Sequence, residues 1–249
     1  MNKNHFEIKL LLLLLSMLIC AIAAFRMDNL QLNNLTSSEF LIKGIDISNH
    51  QEDINWSEID TQQVRFVFIK ATEGSNFKDK SFKKNWEEAR KKGIAVGAYH
   101  FFTFCRSAKE QAQNFIETVP NETHMLPPVI DLEYDGNCKS LITKEEVIKK
   151  IDSLEQYLFK HYNQKPILYT AQNFYDHYLV AQFLENPFWA GNKLSRTKIE
   201  ADRKLLFWQY YSQGYVQGIK NAVDLNIFNG NAAAFEKLKN DKNLVIKNQ

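Results

Sequence analysis

From about residue 41 onward, short apolar runs alternate with amphipathic stretches along the chain. The apolar runs are rich in Val, Ile, Phe and Tyr, which suit the pleated surface of a sheet. The pattern predicts strands at Gly44–Ser48, Arg65–Ala71, Ala95–Phe102, Pro128–Glu133, Pro166–Thr170, Phe188–Gly191, Leu205–Tyr210 and Ala222–Ile227.

The stretches between the early strands have helical spacing. Thr143 and Glu146 have the spacing of a capping box, and an apolar stripe follows them. Ser107 is expected to cap another helix, which Pro120 ends. Little helical sequence separates the last three strands. The pattern therefore predicts an α/β fold, a barrel that begins as a βα repeat and ends with strands joined by loops.

The first residues have a different composition. Lys3 and Lys9 precede an apolar run, Leu10–Phe25, which is shorter than the ~20 residues that span a bilayer. The run predicts a signal peptide or a membrane anchor, and both stay open. In either case the working domain is secreted, periplasmic or membrane-anchored, outside the cytoplasm. The predicted organisation is this segment at 1–25, a linker at 26–40, a barrel domain at 41–240 and a polar tail at 241–249.

Charge and motif content exclude several functions. The formal net charge is +2, from 31 basic and 29 acidic residues, with no dense basic stripe, so nucleic acid is not the expected partner. There is no glycine-rich phosphate loop and no compact Cys/His cluster with metal-ligand spacing. We therefore expect no nucleotide, no metal and no other cofactor.

Two acids lie side by side at the end of an otherwise apolar predicted strand. Asp131 and Glu133 are two residues apart and share one face, while Ile130 and Leu132 occupy the other. Burial disfavours the charged form of each carboxyl group, and each ionised group disfavours the other. Glycoside hydrolysis needs such a pair, with one carboxyl protonated and another ionised. The alternative is a salt-bridged pair at the barrel rim.

Two further acids have the same setting. Asp46 and Asp224 each lie between apolar residues, in the first and last predicted strands. In a closed parallel barrel these strands are neighbours, so the two acids are expected to converge at the carboxyl ends of the strands, where such barrels hold active sites. For Asp46 alone, a turn-forming or capping role is an equal alternative.

Six short segments of the chain, in order, resemble a known family. They are Gly44-Ile45-Asp46-Ile47-Ser48, Lys70-Ala71-Thr72-Glu73-Gly74, Gly97-Ala98-Tyr99-His100-Phe101, Asp131-Leu132-Glu133, Trp208-Gln209-Tyr210 and Val223-Asp224-Leu225-Asn226. Together they are similar to the glycoside hydrolase family 25 lysozymes, the Chalaropsis-type muramidases. The resemblance runs from about Gly44 to about Leu238. It implies a monomeric, modified TIM-like barrel with five βα units followed by three strands with few helices. It also implies that this barrel hydrolyses the β-1,4 bond between N-acetylmuramic acid and N-acetylglucosamine in the glycan strand of peptidoglycan.

The resemblance also implies roles for the four acids. Glu133 is expected to be the general acid. Asp131 is expected to orient Glu133, or to position the substrate acetamido group if that group is the nucleophile. Asp46 and Asp224 are expected to complete the acidic floor. An enzyme nucleophile and substrate assistance both remain open, and the Asp-x-Glu pattern favours substrate assistance.

A sugar-binding groove needs aromatic faces and hydrogen-bonding side chains. We expect Tyr99, Tyr169 and Trp208 as groove walls, although core packing is nearly as good an explanation for each. The other candidate substrate-binding residues are Gln209, Asn226, Glu73 and His100. For Glu73, a solvated loop acid is an equal alternative.

Cys105 follows the third predicted strand and Cys138 follows the fourth. Adjacent parallel strands bring these loops together on the same face, so a disulfide between them is expected outside the cytoplasm. Two unpaired thiols are the alternative.

Two other functions fit the same barrel. One is a catalytically silent module that binds the cell wall, since a fold does not guarantee activity. The other is a hydrolase of a related chitin-like polymer. The presence of all four acids favours the muramidase over the silent module.

Overall fold

The computed structural model describes residues 16–17, 42–139, 142–191, 203 and 205–240 of the 249-residue chain. The chain divides into two compact units, Met1–Leu41 and Ile42–Gln249. Of the first unit only the helical pair Ser16 and Met17 is described, so the predicted signal or anchor and linker lie outside the described residues, as does the tail at 241–249. Within the described ranges, no helix has the length and apolar character needed to cross a membrane.

The second unit is a closed barrel of eight strands, with a short ninth strand on one edge. The strands are Lys43–Ile47 (β1), Phe66–Glu73 (β2), Phe77–Lys78 (β3), Ala95–Phe101 (β4), Val129–Leu132 (β5), Ile167–Thr170 (β6), Phe188–Ala190 (β7), Leu205–Gly214 (β8) and Val223–Phe228 (β9). Their order is β1-β9-β8-β7-β6-β5-β4-β2-β3, and pairing of β1 with β2 closes the barrel.

Helices cover the outside of the early strands and thin out toward the end of the chain. They are Phe82–Lys91 (α1), Ala108–Thr118 (α2), Lys144–Tyr162 (α3), Gln172–Phe174 (α4, continued by a π-helical turn, Tyr175–Leu179) and Ala232–Asn240 (α5). After β1 two 3₁₀ turns, Asn49–Gln51 and Trp56–Glu58, replace a helix. The predicted modified barrel with a helix-poor end is confirmed.

Both predicted helix starts after Ser107 and Thr143 are confirmed. Each side chain accepts a hydrogen bond from the backbone three residues on, and a glutamate there, Glu110 or Glu146, bonds back to the capping residue. Such reciprocal bonds satisfy backbone N–H groups that have no partner within the helix.

The direction of the last strand corrects one expectation. The convergence of Asp46 with Asp224 was argued from a parallel barrel, but β9 runs antiparallel to both β1 and β8. A short connection between β8 and β9 forms a hairpin, and such a connection reverses the chain, whereas a parallel strand needs a long crossover. The two acids still meet, because Asp46 is paired with Asp224 in the ladder.

Aromatic rings fill the barrel interior below this level. Phe68 stacks on Trp189 with ring centroids 4.7 Å apart, and Phe66 lies 5.0 Å from Phe207. Gly97 makes room for these rings, because a Cβ there would lie 2.4 Å from the Phe68 ring. The other face of the strands packs against the helices in a second apolar cluster. The interior is therefore a packed core, and only its upper end is open to polar groups.

Candidate active site

A pocket of about 300 Å³ opens at the carboxyl end of the parallel strands. This is the end of a barrel at which catalytic groups collect. All four acids predicted from the sequence line it, together with two of the predicted aromatic residues. The lining residues are Asp46, Tyr99, Asp131, Glu133, Tyr169, Trp189, Gln209, Ser212 and Asp224.

Strand β5 supplies the central pair of acids. Val129 packs in the interior cluster, while Ile130 and Leu132 pack against the helices, so Asp131 and Glu133 turn toward the pocket as expected. Asp131 is 8% exposed, whereas Glu133 follows the last residue of the strand and is half-buried. Asp131 Oδ1 is buried and has no hydrogen-bond partner among the described residues.

Amide groups hold Asp46 from two neighbouring strands. Asn226 Nδ2 and Gln209 Nε2 donate to Asp46 Oδ2 at 2.7 and 3.1 Å. The orientation of each amide is fixed from its other end, since Trp189 Nε1 donates to Asn226 Oδ1 at 2.9 Å. The Tyr169 hydroxyl likewise donates to Gln209 Oε1 at 2.9 Å. Because an indole N–H can only donate, the network presents amide donors to Asp46.

Burial raises the pKa of all four acids. It is the largest cause for each, and it raises the pKa of Asp46 and Asp131 well above the usual range. The negative charge of Asp224 raises the pKa of Asp46 further, and that of Glu133 raises the pKa of Asp131 further. The pKa of Glu133 is also raised, and that of Asp224 rises to about 6 although a hydrogen bond with Asp46 opposes the shift. The site therefore keeps protons on carboxyl groups at a pH where exposed acids have lost them.

Lys70 is a cation beside these acids. Its Nζ lies 2.7 Å from Glu73 Oε2 and 5.1 and 5.5 Å from the ring centroids of Phe101 and Phe77. Its charge lowers the pKa of Asp131, against the larger effect of burial. Glu73 is thus an ion-pair partner of Lys70 and is not among the residues that line the pocket.

The structure places His100 outside the pocket. The expectation was a hydrogen-bond donor in the groove, but the side chain is fully buried on the outer face of β4, against Phe115 of α2. Its ring nitrogens bond the Thr72 hydroxyl at 2.7 Å and Gln111 Oε1 at 3.2 Å. Burial lowers its pKa to about 4, so His100 is a neutral packing residue between strand and helix.

Trp208 also lies away from the pocket. Gln209, its neighbour in β8, points inward, so the alternation of a strand directs Trp208 outward, where it packs against the cluster beneath the helices. Asn226 is fully buried and acts on the pocket through Asp46 rather than by lining it. Tyr99, Tyr169 and Gln209 do line the pocket.

Sequence reasoning missed two lining residues, Trp189 and Ser212. Trp189 lay in a predicted strand, but Phe188, Trp189 and Ala190 are all apolar, so the sequence held no signal for which of them faces the pocket. Ser212 lies beyond Tyr210, where the strand was predicted to end, because β8 extends to Gly214.

The predicted disulfide is confirmed. Cys105 and Cys138 are bonded, with Cα atoms 6.2 Å apart, and the bond joins the loop after β4 to the loop after β5. In the part of the chain that the structure describes, no group of three or more His, Cys, Asp or Glu side chains could hold a metal ion.

Carboxyl groups of raised pKa, set in a polar pocket at the mouth of a barrel, are the arrangement that hydrolysis of glycosidic bonds requires, and they indicate a hydrolase of this class. The model of glycosyl hydrolases family 25 matches residues 45–219, and the chain belongs to this family. The matched range includes Asp46, Asp131 and Glu133, and Asp224 lies beyond its end.

Relatives and solved structures agree with this assignment. A family 25 glycosyl hydrolase from Bacillus anthracis has a similar structure, with a TM-score of 0.75 and 41% identity over 81% of this chain and 95% of that one. Protein YegX of Escherichia coli K12 is 34% identical over 78% of this chain and 71% of its own length. Lysozyme M1 of Streptomyces globisporus is 31% identical over 80% and 72%.

Proposed function

We propose that this family 25 hydrolase is a muramidase, which cleaves the β-1,4 bond between N-acetylmuramic acid and N-acetylglucosamine in peptidoglycan. The observation that carries the proposal is the pair Asp131 and Glu133 on one face of β5, both turned into the pocket and both with a raised pKa. The lysozymes among the relatives support the choice of substrate. A silent wall-binding module would gain nothing from burying four carboxyl groups together.

Glu133 is the general acid of this proposal. Burial raises its pKa and so favours the protonated form, and its half-buried position leaves the carboxyl group accessible from the pocket. It donates its proton to the glycosidic oxygen as the bond from that oxygen to C1 of the muramic acid ring breaks. The Glu133 carboxylate then takes a proton from the water that completes hydrolysis.

Asp131 orients the acetamido group of the muramic acid ring. Its carboxyl group lines the pocket beside Glu133, so it is placed to accept the acetamido N–H. The acetamido oxygen, aligned in this way, attacks C1 and forms a cyclic intermediate that water opens. Asp46 and Asp224 form the floor of the pocket, and Tyr99, Tyr169, Trp189 and Gln209 hold the sugar ring.

Peptidoglycan lies outside the cytoplasmic membrane, so the barrel works there. The apolar segment at 1–25 serves export or anchoring, and the barrel binds the glycan strand as a monomer.

Substitution of Glu133 tests its proposed role as the general acid. Glu133→Gln removes the acidic proton without changing side-chain size, so hydrolysis of soluble peptidoglycan fragments is expected to fall by about 10³-fold or more. Glu87→Gln is the matched control, because Glu87 is exposed on α1 and is not among the residues that line the pocket, and its activity is expected to stay within about tenfold of wild type. Equal losses in the two variants, or an active Glu133→Gln, would contradict the assignment.

A further inference from the structure

Glu133 lies just beyond the part of β5 that the sheet holds. The ladder with β6 ends where Leu132 pairs with Thr170, and the Thr170 hydroxyl donates to the Leu132 carbonyl at 2.6 Å. The next residue, Glu133, is therefore the first of a loop. A general acid must be placed to within a fraction of an ångström, so another group has to fix this backbone.

Asn137 makes that connection with its side chain. Its Nδ2 donates to the Glu133 carbonyl at 3.0 Å and to the Phe102 carbonyl at 2.8 Å. Its Oδ1 accepts from the backbone N–H of Phe104 at 3.0 Å and of Cys138 at 2.9 Å. Both donor hydrogens and both acceptor sites of the amide are thus used. One side chain ties the backbone at Glu133 to the segment that follows β4.

The disulfide reinforces the same connection. Cys138 is the next residue after Asn137, and its bond to Cys105 joins the same two loops covalently. The Cys105 N–H also donates to Cys138 Sγ at 2.9 Å. The disulfide therefore fixes Asn137 relative to the loop after β4, and the Asn137 amide in turn fixes the Glu133 carbonyl.

We propose that Asn137 is the positioning residue for the general acid: through its amide bonds to the Glu133 and Phe102 carbonyls, it fixes the backbone from which the Glu133 side chain reaches the glycosidic oxygen. The inference rests on the proposed role of Glu133. Asn137 itself is not among the residues that line the pocket.

Replacing Asn137 tests the inference. Asn137→Ala leaves the pocket lining intact but frees the Glu133 backbone, so kcat on soluble peptidoglycan fragments is expected to fall about 10- to 100-fold while KM stays within about threefold. A residue that only stabilises the fold would leave kcat of the folded fraction unchanged. Should Asn137→Ala fail to fold, Asn137→Ser, with one remaining hydroxyl, is measured at 25 °C in the same way.

Asn114→Ala is the matched control. Asn114 Nδ2 also donates to backbone carbonyls, those of Glu73 at 3.5 Å and of Gly74 and Phe77 at 3.0 Å, but none of these three residues lines the pocket. Its kcat is expected to stay within about threefold of wild type. Equal losses of kcat in the two variants, or an unchanged kcat in the Asn137 variant, would overturn the inference. A wild type without activity would instead refute the muramidase proposal.

Discussion

At the level of single residues, the pocket buries carboxyl groups whose ionisation destabilises the folded state. Asp46 and Asp224 are paired across the ladder, and burial raises the pKa of both. Between pH values near 3.8 and 6, the folded state therefore holds a proton on Asp224 that the unfolded chain has released. Stability falls as the pH rises through this window, because deprotonation favours the unfolded chain.

Removing the Asp224 charge is expected to stabilise the protein. Asp224→Asn should raise Tm by a few degrees at pH 7.5, and the gain should shrink at pH 4, where the wild-type carboxyl is already protonated. Calorimetry at the two pH values measures it. The exposed Asp152 on α3 supplies the control variant, Asp152→Asn, for which no such pH-dependent gain is expected. A lower Tm for Asp224→Asn at pH 7.5 would show that the charge stabilises the fold.

The acids could be predicted from the sequence, but several of their neighbours could not. Alternation along β5 sufficed to place Asp131 and Glu133 on one face, because a strand has a strict period of two. The same period does not show which face of β7 or β8 points inward. Trp208 was therefore predicted to line the pocket, whereas Trp189 does so. The prediction that His100 lies in the groove was wrong for another reason. Both faces of a barrel strand are buried, so burial does not distinguish the pocket side from the helix side.

At the level of elements, helix caps and strands were accessible to sequence analysis, whereas strand direction at the end of the chain was not. Alternation places Asp224 on its face in β9 whichever way the strand runs. Only the hairpin between β8 and β9 reveals the reversal. The extension of β8 to Gly214 escaped notice because register shifts after Gln209 interrupt the alternating pattern.

The loops after β4 and β5 depend on a covalent link. Cys105 and Cys138 are 33 residues apart, and closing such a loop reduces the freedom of the unfolded chain. The double variant Cys105→Ser with Cys138→Ser is expected to lower the free energy of unfolding by ~2–4 kcal/mol in urea denaturation. Wild type treated with reductant should behave like the variant. Identical unfolding of oxidised and reduced wild type would rule out a stabilising bond.

At the level of the whole molecule, the barrel divides its interior into two zones. Aromatic rings such as Phe68 and Trp189 fill the lower part, and the acids occupy the open end. The packed rings make the strands a rigid support, and such a support keeps catalytic groups in place. The alternation of strands and helices, together with the family resemblance, was sufficient to predict the barrel, and the six motifs fall on six different strands.

The identity of the new chain ends tests the central claim most directly. The protein lacking residues 1–38 is incubated with purified peptidoglycan, the products are reduced with borohydride, and the reduced sugars are identified by mass spectrometry. Cleavage after muramic acid, driven by Glu133, predicts N-acetylmuramitol ends that increase with time. Release of N-acetylglucosaminitol ends instead, or binding to the wall without any new ends, would contradict the muramidase account.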